Sequence, residues 1–131
     1  MSQEKPAPPV PVYNWDTIPS FDYGGITVRS FRGSNVAIGY SHLHPGTEMK
    51  PPHTHDIEQI FMILQGRVKL HVGDQVHDCR PGTIVLIPAH VEHWVEPPAP
   101  EDGVAINLDI FSPIREDFLT LTKYQTDRFS G

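Results

Sequence analysis

The sequence predicts an all-β domain, a sandwich or barrel of short strands, and three observations carry that reading. Fourteen prolines and ten glycines are spread along 131 residues, leaving no interval long enough for the helices of a bundle. The apolar residues fall in short runs bounded by turn residues such as Arg32-Gly33-Ser34, Gln65-Gly66 and Pro81-Gly82. Seven such runs follow one another at the close spacing of an antiparallel β fold: 25–31, 36–43, 58–64, 68–72, 83–87, 91–95 and 104–111.

Residues 1–23 precede the first run as a proline-rich arm, with an extended, polyproline-like stretch over 6–11. The barrel is expected over 24–112. A C-terminal segment, 113–131, follows it and carries one short helix over 114–122. The runs Ile60-Phe61-Met62-Ile63-Leu64 and Ile84-Val85-Leu86-Ile87 are apolar at both parities. Either they lie wholly inside one sandwich core, or their second face is covered by the proline-rich arm or by the partner subunit of a homodimer.

Composition narrows the function classes. Sixteen acidic against ten basic residues give a net charge of −6, which disfavours nucleic acid and anionic membranes and favours a small-molecule ligand. A single cysteine, Cys79, permits no intrachain disulfide and accords with a reducing compartment. The first fifteen residues hold Glu4 and Lys5 and no apolar signal core, so a cytoplasmic location is expected. Cys79 has no histidine spaced to act as its base, and Gly24-Gly25 has no following helix to cradle a phosphate.

Histidine is the informative residue. Eight are present, and four fall in two tight groups, His53-Thr54-His55 and His90-x-x-His93. If 52–61 is extended, its period of two places His53, His55 and Gln59 on one face and turns Glu58 to the other. Two imidazole nitrogens and an amide oxygen suit a divalent first-row metal and leave a position for a ligand from another strand, for which His93 is the candidate. Nickel, iron, manganese and zinc all accept this set. His42, His44, His71 and His77 are read as ordinary surface histidines.

In 105–111 the odd positions Asn107, Asp109 and Phe111 share a face, and a polar pair turned into a barrel is not ordinary core. Asp109 is a candidate acid or base beside the metal, Phe111 an apolar wall, and Arg115 a bidentate partner for a substrate carboxylate. The plain alternative is that Asp109 and Arg115 pair with each other at the strand end. Trp94 has the opposite parity to His93 and is read as packing.

The spacing Gly46-(six)-His53-x-His55-(three)-Gln59-(six)-Gly66, followed by Gly73-(seven)-Pro81-Gly82-(five)-Pro88-x-His90-x-x-His93, resembles the two motifs of a small single-domain cupin. The resemblance implies a double-stranded β-helix, the jelly-roll barrel of that family, with one metal held by His53, His55, Gln59 and His93. The chain departs from the common pattern at Gln59, where the family commonly has Glu, at His90, where it has Gly, and at Pro97, where it has Asn. The segment Asp109-x-Phe111-Ser112-Pro113-x-Arg115-Glu116-Asp117 is similar to that of KdgF-like cupins of pectin and alginate catabolism, which open the ring of 4,5-unsaturated uronates. That similarity implies a metal-dependent enzyme of lyase or isomerase type acting on a carboxylate-bearing sugar, with Asp109 and Arg115 as catalytic residues and Arg115 and Phe111 holding substrate. A metal-dependent dioxygenase and a non-catalytic small-molecule-binding module are the alternative readings.

Overall fold

A computed structural model describes residues 6–125. Among these residues nine strands form two antiparallel sheets: β1 Phe21–Asp22, β2 Ile26–Arg32, β3 Ala37–Leu43, β4 Gln59–Gln65, β5 Val68–Val72, β6 Gln75–Cys79, β7 Ile84–Ile87, β8 His93–Glu96 and β9 Ala105–Phe111. The larger sheet has the order β1-β2-β3-β9-β4-β7, and the smaller has the order β6-β5-β8. One helix, α1 Glu116–Leu121, follows β9, and 3-10 turns occupy Pro100–Asp102 and Lys123–Gln125. The part of the C-terminal segment beyond 125 lies outside the described residues.

Alternation decides which side chains the sheets enclose. On β3 the residues Ala37, Gly39, Ser41 and Leu43 are buried, and on β4 Gln59, Phe61 and Ile63 are, each separated by a less buried neighbour. Leu43, Phe61, Ile63, Val68, Leu70, Val72, Cys79, Ile87 and Ala105 fill the space between the two sheets. Each large aliphatic or aromatic side chain so buried contributes roughly 1.5–3 kcal/mol of transfer free energy. Cys79 is an inert part of this core, and burial pushes its thiol pKa up.

A second cluster closes one end. Ala37, Phe111, Phe118 and Leu121 pack together, with Phe118 meeting Phe111 edge to face at 5.0 Å between ring centroids. Gly39 makes room for this contact, because a Cβ there would lie 3.2 Å from the Phe118 ring. Gly66 is more constrained: its φ is +78°, and a Cβ would lie 2.7 Å from the Ala105 backbone, so the turn between β4 and β5 accepts no larger residue.

Two strands have no counterpart in the sequence reading. β1 is only a two-residue addition to β2, and β6 reads Gln-Val-His-Asp-Cys, which offers one outward Val76 and one inward Cys79 as apolar signal. The stretch 52–61 is not one extended segment. Its strand begins at Gln59, and His53 makes an isolated bridge to His93 before the chain bends at 56–57.

Candidate metal centre

His53 and His93 are drawn together by backbone pairing, each N–H donating to the other's carbonyl, at 3.1 and 3.0 Å. His55 is placed by its carbonyl, which accepts from His90 N–H at 2.8 Å. The backbone thus brings three imidazoles together, and possible ligating atoms of His53, His55 and His93 all lie within 4.8 Å of one another. Gln59 joins them from β4, with its Oε1 3.1 Å from His55 Nε2. Glu58 is exposed and points away, as its parity requires.

The hydrogen bonds fix which nitrogen faces inward. His55 Nδ1 lies 2.6 Å from the Ile57 carbonyl and His93 Nδ1 lies 2.9 Å from the Val91 carbonyl. A carbonyl only accepts, so each Nδ1 carries the proton and each neutral ring turns an Nε2 lone pair toward the cluster. His93 Nε2 is buried and has no hydrogen-bond partner. The Gln59 amide is oriented from behind, because its Nε2 donates to Asp109 Oδ1 at 2.6 Å. Its Oε1 therefore faces the His55 Nε2 lone pair, acceptor against acceptor. An orphaned buried imidazole nitrogen and two opposed lone pairs are what a cation resolves, and the neutral N3O donor set fits a divalent first-row metal.

The electrostatics agree. Burial, then the nearby His93, Arg115 and His55, push His53 down to about 4. Burial chiefly lowers His93 as well, against the Val91 hydrogen bond. Both rings are thus held in the unprotonated state that ligation requires.

Behind the imidazoles, β9 supplies the polar pair. Asp109 Oδ2 accepts from Asn107 Nδ2 at 3.0 Å while Oδ1 accepts from Gln59. Burial raises Asp109 to about 6, although the two amides and Arg115 pull the other way. The alternative of an Asp109–Arg115 pair is not what the structure shows. Arg115 Nη2 instead donates to Asp117 Oδ2 at 3.0 Å, and its guanidinium lies over the Phe111 ring at 5.0 Å and near Phe118 at 5.8 Å. Phe111 also meets His55 edge on, at 5.6 Å, which links the metal cluster to the shelf beneath Arg115.

Sequence reasoning missed Asp117 as the partner of Arg115, the carbonyls of Ile57 and Val91 that orient the rings, and Phe118 beneath the guanidinium. The Glu116-Asp117 pair beside Arg115 was the only visible signal. Trp94 and Tyr40 take no part in the cluster: Trp94 stacks on His71 at 4.3 Å and Tyr40 on Trp15 at 4.8 Å. His90 adopts φ +66°, a conformation that explains why glycine is common at this position of the motif. An open cleft of about 570 Å³ is lined by His55, Asp56, Ile57, Arg115, Glu116, Asp117 and Thr120, so His55 is the one candidate ligand that borders it.

The cupin domain family matches residues 39–111, more than half of the chain, and the protein belongs to that family. No curated protein matches the chain. Among solved structures, the KdgF of a Halomonas species superposes with a TM-score of 0.75 at 20% identity, covering 85% of this chain and all of that one. An RmlC-like cupin from Shewanella frigidimarina gives 0.72 at 23% identity, over 81% of this chain and 93% of its own. The polyketide cyclase RemF of Streptomyces resistomycificus gives 0.69 at 17% identity, over 82% of both chains. These likenesses share the double-stranded β-helix fold. No helix among the described residues is long and apolar enough to cross a membrane.

Proposed function

We propose that this cupin is a metal-dependent enzyme that opens the ring of a 4,5-unsaturated uronate to give the linear keto form. The observation that carries the reading is the continuous polar chain from the imidazoles through Gln59 to Asp109, with a cation on an aromatic shelf beside it. The fold shared with the Halomonas KdgF and the Asp109-to-Asp117 segment support it.

The reaction is an isomerisation. The anomeric hydroxyl loses its proton and becomes an aldehyde, the bond from the anomeric carbon to the ring oxygen breaks, and the ring oxygen keeps the electron pair as an enolate. Protonation of carbon 4 then gives the ketone, so no electrons are gained or lost. A divalent cation held by His53, His55, Gln59 and His93 would supply Lewis acidity toward an oxygen that gains negative charge.

The chain's own residues do the rest. Arg115 binds and orients the substrate carboxylate, exchanging its contact with Asp117 for one with the ligand. Phe111 forms the apolar floor under the guanidinium and holds it in place for the carboxylate. Asp109 uses two of its four lone-pair positions to hold Gln59 and Asn107, and a free one takes the hydroxyl proton and returns it to carbon 4. A carboxyl near pKa 6 is suited to both halves of that transfer at neutral pH.

The test is elemental analysis of the purified protein followed by incubation with an unsaturated uronate. Loss of the conjugated ene-carboxylate absorbance with formation of a dicarbonyl is the expected result. Asp109→Ala should abolish turnover while the metal-saturated protein keeps its stoichiometry, because the three imidazoles remain. Oxygen consumption with substrate would favour a dioxygenase, and a bound ligand returned unchanged would favour a binding module; either would overturn the proposal.

A further inference from the structure

The segment that follows β9 forms one wall of the cleft that His55 borders. Arg115, Glu116, Asp117 and Thr120 line that wall, and Phe118 is buried beneath it, near the Arg115 guanidinium. What the cleft takes from this segment depends on where α1 lies, and a helix of six residues does not hold its own place in water.

The far end of the segment is tied to a distant strand. β1 pairs with β2 only at Thr27 and Val28, and the edge of β2 beyond them has no strand beside it among the described residues. Two side chains of the C-terminal 3-10 turn stand in for that strand. Tyr124 donates its hydroxyl to the Ser30 carbonyl, and the Gln125 amide closes on Arg32 at both atoms. Its Oε1 accepts from the Arg32 N–H at 2.9 Å, and its Nε2 donates to the Arg32 carbonyl at 3.1 Å. The amide thus copies the donor and acceptor of a neighbouring strand, and Gln125 is fully buried, so water does not compete for either bond. Between this clamp and the cleft, Thr122 Oγ1 donates to the Phe118 carbonyl at 2.6 Å, and Leu121 and Phe118 pack into the closed end of the core. The tie therefore runs from β2 through a buried turn to the ring beneath Arg115.

We propose that Gln125 is a positioning residue for Arg115: its clamp on the edge of β2 fixes α1, and with it the guanidinium and the cleft wall, against the barrel. The inference rests on the reading of Arg115 as the group that takes the substrate carboxylate. The candidate metal ligands come from 53–55, β4 and β8, none of them from α1. Loosening the clamp therefore separates two properties: the cation site stays, and the carboxylate seat drifts. By linkage, a ligand that needs the clamped wall tightens the clamp by the same factor that the clamp tightens the ligand.

Gln125→Met keeps the buried volume and removes both bonds. It is compared with wild type by calorimetric titration, first with zinc and then with D-glucuronate, a saturated uronate that carries the carboxylate without the double bond that turnover requires. Zinc affinity should stay within about twofold of the parent's, and glucuronate affinity should fall about fivefold or more. Tyr124→Phe removes one hydroxyl and keeps the ring, so it should move glucuronate in the same direction by a smaller factor, and it carries the test if Gln125→Met does not fold. In the wild type, saturation with glucuronate should slow hydrogen exchange at the Arg32 amide, which is bonded to Gln125. Zinc and glucuronate affinities that fall by equal factors, glucuronate affinity unchanged in both variants, or Arg32 exchange indifferent to the ligand would overturn the inference and leave Arg115 as the carboxylate-binding group. A wild type that binds no glucuronate, or an Arg115→Ala protein that binds it as tightly as the parent, would overturn both.

Discussion

Gln59 and Asp109 are joined by a 2.6 Å hydrogen bond in which the amide donates to the carboxylate, and this contact turns the amide oxygen toward the histidines. It gives a physical reason for an amide at a motif position that commonly holds glutamate. A second carboxylate there would face Asp109 at hydrogen-bond distance with no proton between them. Gln59→Glu should therefore bind a proton within the pair, raising its pKa on folding. A raised acid pKa stabilises at low pH and loses that contribution as pH rises, so the metal-free variant should be destabilised by about 2 kcal/mol or more at pH 8 relative to wild type, and less at pH 5. Denaturant unfolding at the two pH values measures this, and adding Asp109→Asn should restore most of the loss.

The histidines make a prediction of opposite sign. His53 is held near 4, so it stays neutral at pH 5.5, where a free histidine is mostly protonated, and His93 is lowered in the same direction by burial. Metal retention should persist to pH 5.5 and fall only as pH drops toward about 4. A release curve followed by a chelating dye and centred near 6.5 would contradict this.

Phe118 supports both the closed end of the core and the underside of Arg115. Phe118→Ala should cost about 3–5 kcal/mol in unfolding free energy. The measurement is denaturant unfolding monitored by circular dichroism, and substrate affinity should weaken beyond any effect on metal content because Arg115 loses part of its shelf.

His90 occupies the left-handed region, which costs a residue with a Cβ roughly 1–2 kcal/mol, whereas glycine pays mainly its greater unfolded-state entropy of roughly 0.5–1 kcal/mol. His90→Gly should raise stability by up to about 1 kcal/mol. Thermal unfolding checks this, with metal stoichiometry unchanged.

Much of the architecture was legible because strand burial follows a period of two. β4 and β9 announce themselves by apolar runs, and β5 by its Val-Lys-Leu-His-Val alternation. β6 was silent because its exposed strand carries almost no apolar signal, and α1 is shorter than the 114–122 read for it because the first turn begins only at Glu116. His53, His55 and His93 lie together, with Gln59 beside His55, but not along one unbroken strand. A backbone bridge from His53 to His93 and a bend at 56–57 do what an unbroken strand was expected to do. Long-range backbone pairing of this kind leaves no local trace in a sequence. The same holds for Arg115, whose choice of Asp117 over Asp109 depends on where α1 begins.

The most direct measurement is calorimetric titration of chelator-treated protein with nickel or zinc, alongside His93→Ala. One cation per chain for the wild type, and affinity weakened at least a hundredfold when the buried His93 Nε2 is removed, is the predicted result. A wild type that takes up no divalent ion, or a His93→Ala protein that binds as tightly as the parent, would contradict it.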